Sequence, residues 1–302
     1  MKIVLTGSLG NIGKPLTTEL VKQGHAVTVI SSQEERASTI ESLGAKALIG
    51  SIFDTDFLTQ TFIGADVVYL METMEAAGDI FDKDIDFIAS ISEIGRNYKI
   101  AIENSKVKKV IHLSSIGAHT NKGIGILLFH YNVEKILREL PDDVNIKFMR
   151  PVGFYINMLS FIPTIASKGA IISNYGGDKK EPWVSPLDIA DAIAQEIEKP
   201  FEGRTVHYVA SDEVSPNEIA NALGKAIGKP DLNWHVIPDQ QLLENWLRIG
   251  FNAQVAQGFV ELQASQGSGA LYEDYYRHRP MLGKVKLADF AKEFAEAYYR
   301  DA

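Results

Sequence analysis

Short apolar runs alternate with amphipathic segments through about the first half of the chain. Lys2–Leu5, His25–Ile30, Lys46–Ile49, Asp66–Met71, Lys108–Ser114 and Asn145–Met149 read as strands. Between them apolar positions recur at helical spacing. Gln33–Leu43 reads as one helix, Asp54–Phe62 as another with Asp54 as N-cap, and a long one ends near Ser105. Strands and helices in strict alternation predict an α/β fold, a doubly wound parallel sheet of Rossmann type. After Arg150-Pro151 the rhythm loosens. Ser185–Glu198, Pro216–Ile227, Asp239–Arg248 and Leu287–Tyr299 look helical, with a strand at Thr205–Val209. There is no internal repeat and no low-complexity linker. The expectation is a core over residues 1–150 and a smaller lobe over 151–302 that is interleaved with it.

The first strand runs directly into Thr6-Gly7-Ser8-Leu9-Gly10-Asn11-Ile12-Gly13 and then an amphipathic helix with Leu16, Leu20 and Val21 inward. Strand, glycine turn and helix together form a dinucleotide-binding fingerprint. Gly7 permits the sharp turn, Gly10 lets a pyrophosphate reach the backbone, and Gly13 lets the helix pack on the sheet. The helix N-terminus then faces the phosphates with its positive end. Ser8, Asn11 and Ile12 supply the remainder of the cradle. The spacing G-x-x-G-x-x-G is that of the short-chain dehydrogenase/reductase version. The competing reading is a strand-to-helix turn with no ligand.

Composition narrows the partners. A formal charge of -9 and the absence of any basic stretch longer than Lys106, Lys108 and Lys109 argue against nucleic acid or an anionic membrane surface. With no cysteine, disulfides, thiolate metal sites and a cysteine nucleophile are excluded. The histidines do not pair with carboxylates at ligand spacing, so no metal is expected. No apolar stretch is long enough to span a bilayer, and a cytoplasmic location is the expectation. Oligomeric state is not legible.

The second strand ends Ile30-Ser31-Ser32, where an acidic residue would hold a free ribose 2′-hydroxyl. Ser31 and Ser32 instead suit a 2′-phosphate, and Arg36 follows one turn into the next helix. NADP(H) is therefore favoured over NAD(H), provided that Glu34 and Glu35 point to solvent. Arg36 as an ordinary solvated helix residue is the alternative. Ser51 and Ile52, after the third strand, are assigned to the adenine side, and Met71, ending the fourth, to the cofactor as well.

Tyr131 and Lys135 have the Tyr-x-x-x-Lys spacing of the short-chain dehydrogenase acid/base pair. Helix geometry argues against them. At about 100° per residue, Val133, Ile136, Leu137 and Leu140 define an inward stripe near Ile126 and Phe129; Tyr131 and Lys135 lie roughly 150° away, on a solvated face. In extended members of the superfamily this helix reads Tyr-x-x-x-Lys-x-x-x-Glu, and Glu134 resembles that glutamate. Counting back puts Ile126 at the tyrosine and His130 at the lysine. A histidine there, within His130-x-x-Val133-Glu134-Lys135-x-Leu137, resembles the NmrA-like atypical short-chain dehydrogenases, specifically the quinone oxidoreductase and triphenylmethane reductase branch. Ser114-Ser115, Met149-Arg150-Pro151-Val152-Gly153-Phe154-Tyr155-Ile156-Asn157 and Val184-Ser185-Pro186-Leu187-Asp188-Ile189-Ala190-Asp191 extend the likeness over almost the whole chain.

The resemblance implies an NADP(H)-dependent oxidoreductase that transfers hydride to a small conjugated acceptor such as a quinone, azo compound or dye. Such acceptors need positioning more than a dedicated acid. His130 would orient the nicotinamide ribose, and Ser115 would hydrogen-bond near the ring; these two are the catalytic candidates. Phe154, Tyr155 and Asn157 would wall the substrate side. The duller readings are an interior histidine, a strand end, core aromatics and a helix cap. His112, inside a strand, and His119 are weaker candidates. Asp188 and Asp191 are read as capping a helix N-terminus, and Trp183 as packing between the lobes. Binding the nucleotide without turning it over, as a redox sensor, is the alternative function; a nucleotide-sugar epimerase is disfavoured because Ile126 cannot supply the acid/base.

Overall fold

The computed structural model describes residues 1–301. Its strands are β1 (Lys2–Leu5), β2 (Ala26–Ser31), β3 (Lys46–Ile49), β4 (Val67–Met71), β5 (Lys109–Leu113), β6 (Asn145–Pro151), β7 (Gly153–Phe154), β8 (Ala170–Ser173), β9 (Glu181–Val184), β10 (Arg204–Val209), β11 (Asp212–Val214) and β12 (Asn233–Val236). The helices are α1 (Gly13–Lys22), α2 (Ala37–Ser42), α3 (Thr55–Phe62), α4 (Met74–Ala77), α5 (Phe87–Ser105), α6 (Leu128–Leu137), α7 (Ile162–Lys168), α8 (Pro186–Glu198), α9 (Pro216–Ala226), α10 (Asp239–Arg248), α11 (Ala253–Ser268), α12 (Glu273–Arg277) and α13 (Leu287–Asp301).

Seven strands form one parallel sheet in the order β10-β6-β5-β4-β1-β2-β3. Alternate side chains leave it on opposite faces. Ile3, Leu5, Val27, Val29, Tyr69 and Ile111 meet α1 and α8 on one side. Val4, Ile30, Val68, Leu70, Val110 and Phe148 meet α3, α5 and α6 on the other. Both faces are thus covered, which is why the strands read as continuous apolar runs. The order reverses between β1 and β4, and in open α/β sheets a crevice opens at the carboxyl ends of the strands there.

β10 and α8 come from the second half of the chain but belong to this layer. The rest of that half builds a separate core around Tyr155, Ile165, Trp183, Ile219, Trp234 and Phe294. Two small sheets frame it, β11-β9-β7 and β12-β8. Asp54 caps α3 as expected, accepting from the Phe57 amide at 2.9 Å.

Several elements differ from the pattern. Residues 34–42 form a 3₁₀ turn, Glu34–Arg36, and then α2, instead of one helix. α11 went unseen because its packing face is made of Ala256, Gly258 and Ser265 as much as of Val255 and Val260, so apolar spacing does not mark it. The helix carrying His130 begins at Leu128, after a 3₁₀ turn, Gly125–Leu127. Gly125 explains the break. It takes φ 51°, and a Cβ there would lie 1.8 Å from the Gly258 carbonyl oxygen of α11. Ile126 is consequently a core residue wedged beneath α11.

Candidate cofactor and active site

The glycine turn is closed by backbone. Thr6 N–H donates to the Tyr69 carbonyl at 3.0 Å and Ser8 N–H to that of Ile30 at 3.1 Å, so the turn spans the crevice between β2 and β4. Gly7 takes φ 86°, and a Cβ on it would meet Met71 Sδ at 2.0 Å. Met71 therefore forms the floor of the turn. A Cβ on Gly13 would lie 2.1 Å from the Ser8 carbonyl oxygen. Gly13 is thus needed for α1 to close on the turn itself, rather than on the sheet as the sequence suggested. Gly10 is different: nothing lies within 3.9 Å of a Cβ built there, so its face is open to an incoming group. α1 begins at Ile12–Gly13 with no side-chain cap and no acid in its first turn. Its free N–H groups and partial positive charge are available to an anion. These features fit a dinucleotide pyrophosphate. Asn11 is exposed beside it and Ile12 is buried beneath.

At the end of β2 the two serines part company. Ser31 is buried; its hydroxyl accepts from Ser8 Oγ at 3.0 Å and from Gln33 N–H at 3.1 Å, and donates to the Gln33 carbonyl at 3.2 Å. It locks the glycine turn to β2 and presents nothing to a ligand, so its assignment as a phosphate donor is withdrawn. Ser32 is exposed, and Arg36 is half-exposed with no side-chain partner among the described residues. Glu34 and Glu35 are exposed as well. Past β3, Ser51 is exposed and Ile52 half-buried, at the start of an open surface hollow of about 640 Å³ that also involves Phe53 and Asp54.

Around α6 the side chains are charged and buried. Glu134 takes a two-pronged contact from Arg150, with Nε and Nη2 each at 2.8 Å, and a hydrogen bond from Ser114 Oγ at 2.6 Å. Arg150 reaches on to the Tyr208 hydroxyl at 3.3 Å and Asp274 at 3.4 Å, and Tyr208 donates to Asp274 at 2.6 Å. Burial works to raise the Glu134 carboxyl, but the guanidinium and hydroxyl donors outweigh it and hold the group below the ordinary value. Three residues that carried the family resemblance, Ser114, Glu134 and Arg150, are therefore a structural clamp joining α6, β5, β6, β10 and α12.

That clamp sets the position of His130. Its ring is half-buried and tilted on Phe129 at 4.2 Å, with Nδ1 enclosed and without a hydrogen-bond partner. Burial, aided by nearby His112, pushes the imidazole down to about 3, so His130 is neutral in the physiological range. Ser115, half-buried at the carboxyl end of β5, has no side-chain partner among the described residues. Lys135 is exposed, whereas Tyr131 is half-buried against the first core, contrary to the helical wheel.

Sequence reasoning assigned three substrate-side residues, and the fold separates them. Phe154 is half-buried against the core that also holds Met71 and Leu9. Tyr155 is wholly buried in the second lobe, stacked on Phe290 at 5.3 Å and facing Trp183 at 6.3 Å. It cannot wall a cleft: in the chain reversal after β7, successive residues point into different cores. Asn157 is exposed within a 3₁₀ segment, Tyr155–Phe161. Trp183 packs inside the second lobe. Asp188 is not a cap, a role taken by Ser185; it is buried and accepts from Ser211 Oγ and the amides of Lys284 and Val285, tying down the loop before α13.

One pair was missed. Glu72, directly after β4, is buried and lies 3.0 and 3.2 Å from Nε2 of His112 on β5. The signal was an acid immediately after an apolar strand at the sheet's carboxyl edge, aligned with a histidine inside the neighbouring strand.

A parallel Rossmann sheet with a glycine turn at its switch point, and histidine where a short-chain dehydrogenase carries lysine, defines an atypical short-chain dehydrogenase fold. The chain belongs to the NmrA-like family, whose model matches residues 1–293. It is 23% identical over 300 residues to a (4-alkanoyl-5-oxo-2,5-dihydrofuran-3-yl)methyl phosphate reductase of Streptomyces griseus, covering 98% of this chain and 99% of that one. Among solved structures it resembles the NADPH-dependent quinone oxidoreductase QOR2 of Escherichia coli complexed with NADPH (TM-score 0.78, 21% identity, 96% and 99% of the two chains). It also resembles the triphenylmethane reductase of Citrobacter sp. (TM-score 0.73, 18% identity, 98% and 100%). Among the described residues no helix is long and apolar enough to cross a membrane.

Proposed function

We propose that the protein is an NADP(H)-dependent oxidoreductase that passes hydride to a small conjugated acceptor, of quinone, azo or dye type. One observation carries this reading: the uncapped start of α1, with open Gly10 before it, shares the carboxyl edge of the sheet with a half-buried His130 held by the Glu134–Arg150 clamp. The reductase names of relatives and structural neighbours support turnover over mere sensing.

Gly7, Ser8, Gly10, Asn11, Ile12 and Gly13 would hold the pyrophosphate, and Ser32 and Arg36 the 2′-phosphate. When bound, the nicotinamide supplies a hydride from C4. A neutral imidazole suits the lysine position as a hydrogen-bonding partner for the ribose hydroxyls, because it orients without adding a buried charge. Ser115 adds a hydroxyl beside it, and Phe154 an apolar wall.

The test is NADPH oxidation, followed by loss of absorbance, against a panel of quinones, azo compounds and triarylmethane dyes. Steady turnover with at least one is expected. Binding of NADPH with no turnover on any acceptor would return the protein to the sensor class. Full activity in His130→Ala/Phe154→Ala would remove the site assignment while leaving the enzyme.

A further inference from the structure

We propose that Glu72 and His112 are a buried proton store that acts through His130, and that the reaction it serves is hydride transfer to an uncharged conjugated carbonyl. This rests on the reductase reading above and adds to it a proton donor that the missing tyrosine would otherwise supply.

The pair is an anomaly in the core. Both side chains have no solvent exposure, yet one is an acid and the other a base, 3.0 Å apart. Apolar residues would fill the space at less cost, since burying an ion pair is often no better than neutral for stability. Their location is at the catalytic edge: Glu72 ends β4, and His112 lies two residues before Ser114 on β5. His112 spends Nε2 on Glu72, leaving Nδ1 buried without a partner; Nδ1 of His130 is buried without a partner too. The two imidazoles are close enough for charge on one to disfavour charge on the other. The groups packed around His112 offer no competing outlet. From α5, the Tyr98 hydroxyl donates to the Met71 carbonyl at 2.7 Å. From β6, Phe148 meets the ring edge-on at 5.8 Å. Glu134 of α6 and Arg150 of β6 neutralise one another.

The step balances as follows. Hydride addition to a carbonyl carbon, or to the far end of a conjugated system, leaves an oxygen anion. His130 gives its Nε2 proton to that oxygen while its Nδ1 takes one from His112, so the ring changes tautomer and never becomes a cation. Glu72 and His112 are left one proton short and regain it from water by the reverse path after product leaves. Glu72 and His112 are positioning residues; His130 alone meets the reacting atoms.

A cationic triarylmethane dye provides the discriminating control, because hydride on its central carbon leaves a neutral product that needs no proton. In Glu72→Gln and His112→Leu, kcat for quinone or enone reduction should fall roughly 10- to 100-fold, within the range of general acid catalysis. The fall should be relieved at low pH. Dye reduction and NADPH affinity should stay within about twofold. Equal loss on carbonyl and dye, or no loss on either, would overturn the proposal. An independent readout needs no turnover: in imidazole nitrogen NMR of the free protein, Glu72→Gln should shift the resonances of His130 as well as His112. His130 resonances unmoved by that substitution would overturn the relay even in an active reductase. Absence of turnover in the unmodified protein would instead count against the reductase reading.

Discussion

The two ends of the candidate cleft are built on opposite principles. At the phosphate end, function rests on what is missing: no Cβ on Gly7, Gly10 or Gly13, and no cap on α1. At the α6 end it rests on buried charge, with Glu134 gripped by Arg150 and Glu72 by His112. Bare backbone is a rigid receptor that tolerates no addition. Buried charge is a receptor that tolerates no subtraction.

The largest expected effect tests the first principle. Gly13→Val places side-chain atoms where even a Cβ lies 2.1 Å from the Ser8 carbonyl oxygen, and both are backbone-fixed. NADPH binding by calorimetry should weaken by at least about 100-fold, or ~3 kcal/mol. Binding within tenfold of the parent would show that the turn does not form the cradle.

Arg150→Met tests the second. It leaves Glu134 buried without its cation, and removal of one partner from such a pair costs about 3–5 kcal/mol. The urea midpoint should drop accordingly. The loss should be steepest near neutrality: the Glu134 carboxyl is depressed in the folded protein, so its stabilisation is present above the unfolded carboxylate value and is lost as pH falls through the folded one. An unchanged midpoint would mean that the clamp holds nothing.

A third buried glutamate sharpens the contrast because it has no guanidinium. Glu181 accepts only from the phenols of Tyr272 at 2.9 Å and Tyr175 at 3.2 Å. Burial raises it to about 7, the phenols offsetting part of the rise. With the folded value raised, the protonated form is favoured. Its contribution is full below the unfolded value near 4.5 and is lost as pH rises towards 7. Glu181→Gln should therefore stabilise the protein at pH 8 by roughly 1–3 kcal/mol and make little difference at pH 5. Equal midpoints at both pH values would mean that water or a cation reaches the carboxyl.

The smallest effect lies at the rim of the bare-backbone end. Arg36→Ala should raise the NADPH dissociation constant roughly tenfold, about one charge-assisted hydrogen bond, and leave NADH nearly unchanged. Equal weakening of both, or tighter NADH than NADPH in the parent, would break the phosphate assignment.

The sequence by itself determined the alternation of β1 to β6 with their helices, the glycine turn and the replacement of a tyrosine by Ile126, because each is a local pattern. A strand's apolar run, a turn's glycines and a helix register are properties of neighbours along the chain. Only the tertiary structure decided that Ser31 is a lock, that Tyr155 faces the second core, that Ser114, Glu134 and Arg150 are one clamp, and that Glu72 meets His112. Those outcomes depend on contacts between residues 16 to 40 positions apart, or on which side a chain reversal turns. No spacing rule encodes them, since burial and pairing of a polar group are set by what the fold packs against it.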